Sequence, residues 1–454
     1  MSKLSAIAAA DPTAPIGVAI DSGAEKSLAE KIRSKRARVG VVGLGYVGLP
    51  LAVEYAEAGY HVVGIDLSES KTAKVNAGDS YIADIPSEVL APLVASGHLR
   101  ATTDFAAVAD LDTVNICVPT PLRKTKDPDM SYIVSATQEI ARYFHPGMLV
   151  ILESTTYPGT TAELVLPMLE KSGLKVGEDF FLCFSPERVD PGNVKFQTKN
   201  IPKVVGGTTP ACTELGRLFY QQALETVVPV SSTQVAEMVK LLENTFRMIN
   251  IGLVNEIAIM CDGMGINVWE VIEAAATKPF GFMPFYPGPG LGGHCIPIDP
   301  FYLSWKSKQA GVEARFIELA GYINGQMPHF VATKVQNALN DVGKPVKGSK
   351  ILVYGVAYKR DIDDVRESPA LDIIHLLQRR GAVISFIDPF VDSIRLENET
   401  LAGSGPEAVA EADCVVIVTD HSSFDYPALV RDASLIVDTR NALKGIQSPR
   451  ISRL

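Results

Sequence analysis

The sequence lacks the features that mark disulfide-rich, zinc-binding, membrane-spanning and nucleic-acid-binding proteins. Its six cysteines are scattered without a C-x-x-C pair, so neither a disulfide framework nor a zinc site is expected. No apolar run approaches the roughly 20 residues of a membrane-spanning helix. The apolar stretch at 7–10 ends at Asp11, which is too short for a signal peptide. A net charge of −10 disfavours bulk nucleic-acid binding. We therefore expect a cytoplasmic, metal-free protein with free thiols.

A glycine-rich turn near the start of the chain predicts a dinucleotide site. A β-branched run at Arg38–Val42 enters it, and a second run at His61–Ile65 ends at Asp66. The glycines let the backbone approach a pyrophosphate at a helix N-terminus, and the carboxylate can accept hydrogen bonds from the adenosine ribose. Because Asp66 would repel a 2′-phosphate, the expected cofactor is NAD rather than NADP. The G-x-G-x-x-G turn consists of Gly43, Gly45 and Gly48.

Alternating strand and helix patterns predict an α/β fold with two Rossmann-like parallel-sheet domains joined by a central helical domain. From Ser231, a candidate N-cap, apolar residues recur at three- and four-residue steps through Ile257, which predicts a long helix with one apolar face. This face would form a dimer contact or be covered within the chain. The expected strands of the two domains are Thr113–Val118, Leu149–Leu152, Phe180–Phe184, Ile351–Tyr354, Val383–Ile387, Cys414–Val418 and Leu435–Val437.

The expected domain divisions follow from these patterns. They are an N-terminal extension at 1–35, an NAD-binding Rossmann-like domain at 36–230, a central helical domain at 231–345 and a second Rossmann-like domain at 346–454. Within the extension, Ser27 and Glu30 have capping-box spacing, which predicts a short helix at Ser27–Lys35 unless the segment is a solvated tail.

Three sets of residues are candidates for a role in chemistry. Lys240 and Asn244 share the side of the long helix away from its apolar face, and a lysine there is either a support for developing negative charge or a solvated surface group. Cys295 lies in a segment of glycines and prolines, where it is either a reactive thiolate or an inert buried cysteine. Glu153 and Glu187 follow expected strands, where ligands of open α/β sheets collect, or they are exposed loop charges.

Seven motifs in this order resemble the UDP-glucose/UDP-mannose-type dehydrogenase family over about Arg38 to Asn441. They are VGLGYVGLP, CVPTP, ESTTYPGT, FSPERVDPGN, EMVKLLENTFRMINI, GPGLGGHCIPIDP and GVAYKRDIDDVRES. The resemblance implies two NAD-dependent oxidations of a sugar C6 alcohol through a cysteine thiohemiacetal and a thioester.

The resemblance also implies individual roles. Cys295 would be the nucleophile, Lys240 and Asn244 the oxyanion donors, Asp299 and Thr155 the ligands of a catalytic water, and Glu187 an aid to hydrolysis. Residues implied to contact NAD are Gly43, Gly45, Tyr46, Val47, Gly48, Asp66, Lys71, Thr120, Thr155 and Arg366. Residues implied to contact the UDP-sugar are Glu187, Lys240, Asn244, Phe285, Tyr286, Gly288, Gly290, Lys359 and Arg440.

The cysteine loop also bears on the sugar. It departs from the pattern of UDP-glucose enzymes, typically GGSCFPKD, at His294, Ile296 and Ile298, and it is more similar to the branch acting on N-acetylhexosamines. An apolar Ile in place of a long cationic Lys is compatible with a roomier pocket. The expected substrate is UDP-N-acetylglucosamine, followed by UDP-N-acetylgalactosamine or UDP-N-acetylmannosamine and then UDP-glucose.

Two other functions share some of these features. A single-oxidation dehydrogenase of the 3-hydroxyacid or 6-phosphogluconate type also joins a Rossmann domain to helices with a Lys/Asn pair, but it needs neither Cys295 nor a second α/β domain. An NAD sensor would bind the cofactor without turnover, with an incidental thiol.

Overall fold

The computed structural model describes residues 23–82, 84–121, 128–190, 193, 195–293, 295–397 and 399–454. The chain divides into two compact units, with the division between Leu242 and Glu243.

The first unit is an α/β unit built on one sheet. Its elements are α1 (Gly23–Arg33), β1 (Arg38–Val42), α2 (Gly48–Glu57), β2 (His61–Ile65), α3 (Glu69–Ala77), α4 (Ser87–Ala95), β3 (Leu99–Thr102), β4 (Thr113–Ile116), α5 (Ser131–Arg142), β5 (Leu149–Leu152), α6 (Leu166–Leu169), β6 (Phe181–Phe184), β7 (Lys203–Gly207), α7 (Pro210–Tyr220) and β8 (Val227–Val230). Within the described residues the strand order is β3-β2-β1-β4-β5-β6-β7-β8.

The central strands of this sheet are buried on both faces, as their continuous apolar runs require. All four residues of β5 are buried, and so are all four of β6. The neighbouring strands run parallel, except that β7 runs antiparallel to β6. The parallel pairs bring several strand ends to one edge, and the reversal brings the start of β7 to that same edge.

Helix α1 corrects the expectation for the N-terminal extension. It begins at Gly23, so Ser27 lies inside the helix rather than at its cap. Leu28 and Ile32 are buried in the core of the first unit, and the hydroxyl of Tyr60 donates to the carbonyl of Ile32 at 2.9 Å. The solvated-tail alternative is therefore wrong for the helical part. Residues 1–22 lie outside the described residues.

The long helix α8 (Thr233–Met264) crosses the division between the units. The N–H of Val235 bonds the hydroxyl of Ser232 at 3.2 Å, so Ser232 rather than Ser231 caps the helix. Much of its apolar face is left exposed by the residues that the structure describes, since Leu242, Phe246 and Leu253 are exposed.

The second unit contains helices followed by another parallel sheet. Its further elements are α9 (Val268–Ala276), α10 (Asp299–Gln309), α11 (Arg315–Asp341), β9 (Lys350–Tyr354), α12 (Pro369–Arg379), β10 (Val383–Ile387), β11 (Ser393–Arg395), β12 (Thr400–Ala402), α13 (Ala408–Glu411), β13 (Cys414–Ile417), α14 (Tyr426–Asp432), β14 (Ile436–Asp438) and β15 (Ile451–Arg453). The parallel strand order is β10-β9-β13-β14-β15, and a separate antiparallel pair joins β11 to β12.

The predicted fold class is confirmed. A unit with a mostly parallel sheet, a helical stretch and a second sheet that is parallel follow one another along the chain. Among the described residues, no helix combines the length and the apolar character that a bilayer crossing requires.

Candidate active site

The glycine-rich turn of the first unit leaves space beside its backbone at Gly45. Gly43 has a φ of +93°, and a Cβ there would lie 2.6 Å from the carbonyl oxygen of Cys117. A Cβ on Gly48 would lie 1.8 Å from the carbonyl oxygen of Gly43. At Gly45, a Cβ would meet no atom within 4 Å. The turn itself thus requires two of the glycines, while the third leaves room for a pyrophosphate to approach.

Helix α2 begins directly after this turn. Its N-cap is Val47, whose side chain makes no capping hydrogen bond, so backbone N–H groups at this end can receive an anion. The Tyr46 side chain is exposed beside the turn.

Asp66 follows β2 and is held by the surrounding backbone. Its carboxylate accepts the N–H of Leu44 at 2.8 Å and that of Ser68 at 2.9 Å. Lys71 lies 3.3 Å from the same carboxylate. The hydroxyl of Tyr81 donates to the carbonyl of Leu44 at 2.6 Å, so both backbone groups of Leu44, within the glycine turn, are held in place. This arrangement fits the ribose of a dinucleotide.

Thr120 and Thr155 follow the adjacent strands β4 and β5, and both side chains are half-buried. The hydroxyl of Ser154 donates to the carbonyl of Val118 at 2.7 Å, which joins the two loops. These positions lie past the carboxyl ends of parallel strands, where ligands of open α/β sheets bind.

Glu187 and Lys240 are both buried in the first unit. The ammonium of Lys240 donates to the main-chain carbonyl of Glu187 at 2.7 Å. The solvated-lysine alternative is therefore wrong for Lys240, and the exposed-loop alternative is wrong for Glu187 and for the fully buried Glu153. The Glu187 carboxylate also contacts the ammonium of Lys203 at 3.1 Å.

Cys295 is exposed, whereas the other five cysteines are buried. Its carbonyl accepts the N–H of Asp299, the first residue of α10, at 2.8 Å. The buried carboxylate of Asp299 in turn accepts the side-chain amide of Asn244 at 2.7 Å. Within the second unit, hydrogen bonds thus connect the backbone of Cys295 to Asp299 and the carboxylate of Asp299 to the side-chain amide of Asn244. His294 lies outside the described residues.

The glycine segment before Cys295 is packed against neighbouring residues of its unit. The N–H of Gly288 donates to the side chain of the buried Asn255 at 2.9 Å. A Cβ on Gly288 would lie 2.8 Å from the guanidinium of Arg440, and one on Gly290, whose φ is +143°, would lie 3.0 Å from Pro369. Phe285 packs edge-on against Phe246. Larger residues at these glycines would displace the loop.

A cavity of about 420 Å³ in the second unit has an aromatic wall and two guanidinium groups. The rings of Trp269 and Tyr286 stack with centroids 6.2 Å apart. Arg360 pairs with Asp420, whereas burial lowers the pKa of Arg440. Stacking surfaces and guanidinium groups are what a nucleoside diphosphate requires. The lining residues are Trp269, Glu273, Tyr286, Pro287, Arg360, Asp420, Tyr426, Arg440, Asn441 and Ala442.

Two further residues from the motifs lie in the loop after β9. Lys359 is half-buried and precedes the cavity residue Arg360. Arg366 belongs to the second unit, where its guanidinium bonds the carboxylate of Asp364 at 2.5 Å. Its implied contact with NAD stays a prediction.

Sequence reasoning missed three residues of these sites. Lys203 precedes two valines and two glycines, and nothing in this local pattern indicates which residues its ammonium contacts. Trp269 and Arg360 lacked a recognisable spacing, because the cavity joins α9 to loops that lie far away in sequence.

Three family models match successive parts of the chain. They describe the UDP-glucose/GDP-mannose dehydrogenase family, with its NAD binding domain at residues 37–224, its central domain at 234–326 and its UDP binding domain at 352–445. The chain belongs to the UDP-glucose/GDP-mannose dehydrogenase family. It is therefore an NAD-dependent nucleotide-sugar dehydrogenase, and the predicted cofactor and enzyme class are confirmed.

Relatives within this dehydrogenase family are named for acetamido sugars. The chain is 36% identical to a UDP-N-acetyl-D-mannosamine dehydrogenase of Escherichia coli K12, over 86% of this chain and 94% of the relative. It is 35% identical to a UDP-N-acetyl-D-glucosamine 6-dehydrogenase of Pseudomonas aeruginosa, over 86% and 92% of the two chains. The structure of a UDP-D-ManNAc dehydrogenase from Pyrococcus horikoshii has a TM-score of 0.84 at 34% identity, covering 92% of this chain and 98% of the other.

Proposed function

We propose that the protein oxidises the C6 alcohol of a UDP-N-acetylhexosamine to the uronic acid in two NAD-dependent steps. The observation that carries this proposal is the exposed thiol of Cys295, whose loop is bonded to the Asp299–Asn244 pair. A thiol that retains the aldehyde allows a second oxidation before release, which a single-oxidation dehydrogenase does not need.

The proposed role of Cys295 is nucleophilic. The first oxidation removes two electrons and two protons from the alcohol and leaves an aldehyde. The thiolate adds to the aldehyde carbon and gives a thiohemiacetal, whose oxidation gives a thioester. Water cleaves the thioester, so that the carboxylate leaves and the thiol is restored.

Buried polar groups support the charges that these steps develop. Lys240 and Asn244 would donate to the oxygen that becomes negative during addition and hydrolysis. Asp299 with Thr155 would orient the attacking water, and Glu187 would assist its deprotonation. Lys240 and Asn244 are both already buried, which strengthens their interaction with a developing charge.

The first unit fits NAD. The open space at Gly45, the uncapped start of α2 and the fixed carboxylate of Asp66 suit its pyrophosphate and ribose. Bound NAD supplies a hydride acceptor for each of the two oxidations. Lys71, Thr120 and Arg366 complete the proposed set of contacts.

Among the sugars, we propose UDP-N-acetylglucosamine first, UDP-N-acetylgalactosamine or UDP-N-acetylmannosamine next, and UDP-glucose last. The similarity to relatives named for N-acetylglucosamine and N-acetylmannosamine supports an acetamido substrate. Tyr286, Gly288 and Gly290 of the loop, together with Lys359 and Arg440, are the proposed contacts of the UDP-sugar. Competitive kinetics with the four sugars tests the order, and a higher kcat/KM for UDP-glucose than for every acetamido sugar would overturn it.

The stoichiometry of NADH tests the mechanism. The protein should form two NADH per sugar acid, and Cys295→Ala should abolish acid formation while NAD binding persists. Cys261→Ala is the matched control, because that thiol is buried outside the proposed chemistry. One NADH with a free aldehyde or ketone product would favour the single-oxidation alternative, and binding without turnover would favour the NAD sensor.

We also propose a homodimer or higher homo-oligomer in the cytoplasm. Phe246, Leu253 and Met260 recur every seven residues on α8 and are exposed, and such a stripe suits association with a second copy. The mass in solution should fall on Leu253→Glu substitution, and a wild-type protein with a monomer mass would exclude this association.

A further inference from the structure

Lys203 is the first residue of β7, and its position in the sheet depends on β7 running antiparallel to β6. In the antiparallel pair of β6 and β7, Cys183 lies opposite Gly207 and Phe184 opposite Gly206. Continuing this register beyond the end of β6 brings Lys203 opposite Glu187. A lysine at the first position of a parallel strand would instead lie at the other edge of the sheet. The antiparallel direction of β7 therefore places the Lys203 ammonium at the edge of the sheet where β5 and β6 end.

The ammonium of Lys203 joins two carboxylates. It lies 2.6 Å from Glu153 and 3.1 Å from Glu187. The side chain of Lys203 is 5% exposed, and those of the two acids are 0% and 10% exposed. Because the separations are short and water has little access, this triad is far less screened than a surface ion pair.

Each carboxylate is also held by its remaining oxygen. That of Glu153 accepts the hydroxyl of Tyr220 at 2.5 Å and the side-chain amide of Asn115 at 2.8 Å. That of Glu187 accepts the N–H groups of Arg188 and Val189 at 2.6 and 2.7 Å. The network thus fixes the orientation of Glu187 from its own backbone on one side and from Lys203 on the other.

The charges around Glu187 favour its carboxylate form. Burial opposes ionisation, but the ammonium of Lys203, the N–H of Val189 and the ammonium of Lys240 outweigh it and lower the pKa of Glu187. Burial likewise opposes the charge of Lys203, and the two carboxylates raise its pKa. Among the described residues, the Cys117 thiol after β4 and the phenols of Tyr55 on α2 and Tyr220 on α7 also face this network.

We propose that Lys203 is a positioning residue for thioester hydrolysis, because it holds the Glu187 carboxylate charged and in one orientation. The inference rests on the proposed function, in which Glu187 assists that hydrolysis. Lys203 itself does not need to touch the substrate. Its influence also reaches Lys240, whose ammonium donates to the main-chain carbonyl of the same Glu187.

Lys203→Met should slow hydrolysis by at least about tenfold, a part of what a positioned acid–base group contributes. Stopped-flow measurement should then show a burst of two NADH per subunit followed by slow turnover, and intact-mass analysis should show a sugar acyl group on Cys295. The acid limb of the pH profile of turnover should move up by about one pH unit or more, because Glu187 loses its opposite charge while it stays buried.

Three further variants separate positioning from a structural role. Lys203→Arg should restore most of the activity and the normal acid limb. Glu153→Gln should move that limb in the opposite direction, towards lower pH, because it removes the carboxylate that competes for Lys203. Lys31→Met removes an exposed pair with Asp112 in the same unit and should change none of these readouts.

Opposite pH shifts in Lys203→Met and Glu153→Gln support the inference, and Glu153→Gln decides alone if Lys203→Met fails to fold. An unchanged acid limb, or a rate loss that is equal at every pH without acyl accumulation, overturns it. Wild-type protein and Glu187→Gln are measured alongside. If the wild type does not make two NADH per acid, or if Glu187→Gln hydrolyses normally, the proposed function fails instead.

Discussion

Replacement of Gly45 by Ala should separate cofactor binding from folding. An added Cβ meets no atom within 4 Å, and no left-handed backbone conformation is required there, so the folded protein should tolerate the methyl group. The same methyl group occupies the space proposed for the pyrophosphate. We expect NAD affinity to fall about 100-fold, which corresponds to about 2.7 kcal/mol.

Gly43→Ala is the matched control, because this substitution should destabilise the folded turn rather than fill the space proposed for the pyrophosphate. The φ of +93° is unfavourable for Ala by about 1 to 2 kcal/mol. The Cβ would also lie 2.6 Å from the backbone oxygen of Cys117, and overpacking of this kind costs about 1 to 3 kcal/mol. The free energy of unfolding should therefore fall by about 2 to 5 kcal/mol, and the Tm by several degrees.

Calorimetric titration with NAD and thermal unfolding of both variants measure the two effects separately. Gly45→Ala should keep the wild-type Tm and lose affinity, whereas Gly43→Ala should lose stability. Wild-type affinity in Gly45→Ala would refute the assignment of this space to the pyrophosphate. A Tm loss in Gly45→Ala as large as in Gly43→Ala would refute the argument from the geometry of the turn.

Three further predictions concern Asp66, Glu237 and Leu28. Asp66→Ala should weaken NAD binding by roughly 1.5 to 3 kcal/mol. In steady-state kinetics it should also reduce the ratio of kcat/KM for NAD to that for NADP. A wild-type protein that prefers NADP would contradict the role given to Asp66. Burial raises the pKa of Glu237 to about 7, so the folded state binds this proton more tightly and loses stability as the pH rises from about 4.5 to 7. Relative to wild type, the free energy of unfolding of Glu237→Gln should therefore rise by up to about 3 kcal/mol as the pH goes from about 4.5 to 7, on top of a pH-independent cost of the substitution. Plots of Tm against pH that run parallel for the two proteins would exclude this. Leu28→Ala should destabilise the first unit by about 2 to 5 kcal/mol, while Leu67→Ala, at an exposed site, should leave the Tm unchanged.

Many of the strands could be predicted from the sequence, because the apolar and β-branched runs that indicate a strand are local patterns. The expected strands at His61–Ile65, Leu149–Leu152 and Val383–Ile387 coincide with those of the structure. The caps were less predictable, because Ser231 and Ser232 differ by one residue and only the backbone direction selects Ser232. The packing of α1 was missed, because its apolar residues are few and its partners lie in distant elements.

The direction of a strand could not be obtained from its composition. Lys203 begins a run that looks alike whether the strand is parallel or antiparallel to β6, yet its position at the sheet edge depends wholly on that direction. The acids that it joins were recognisable as residues after strands. Their shared cation was not, because a buried ion triad is a property of the assembled sheet.

Helix α8 buries polar residues next to apolar residues that stay exposed, although other apolar residues of the helix, such as Leu241 and Met248, are buried. Lys240 and Asn244 are buried, whereas Leu242 and Phe246 beside them are exposed. Burying polar groups costs free energy unless they are hydrogen-bonded, and both here have partners, a main-chain carbonyl for Lys240 and a carboxylate for Asn244. Exposed apolar residues at a regular spacing also forgo the stabilisation that burial gives. This arrangement supports the two proposals made above, that Lys240 and Asn244 act in catalysis and that the exposed apolar residues bind a second copy of the chain.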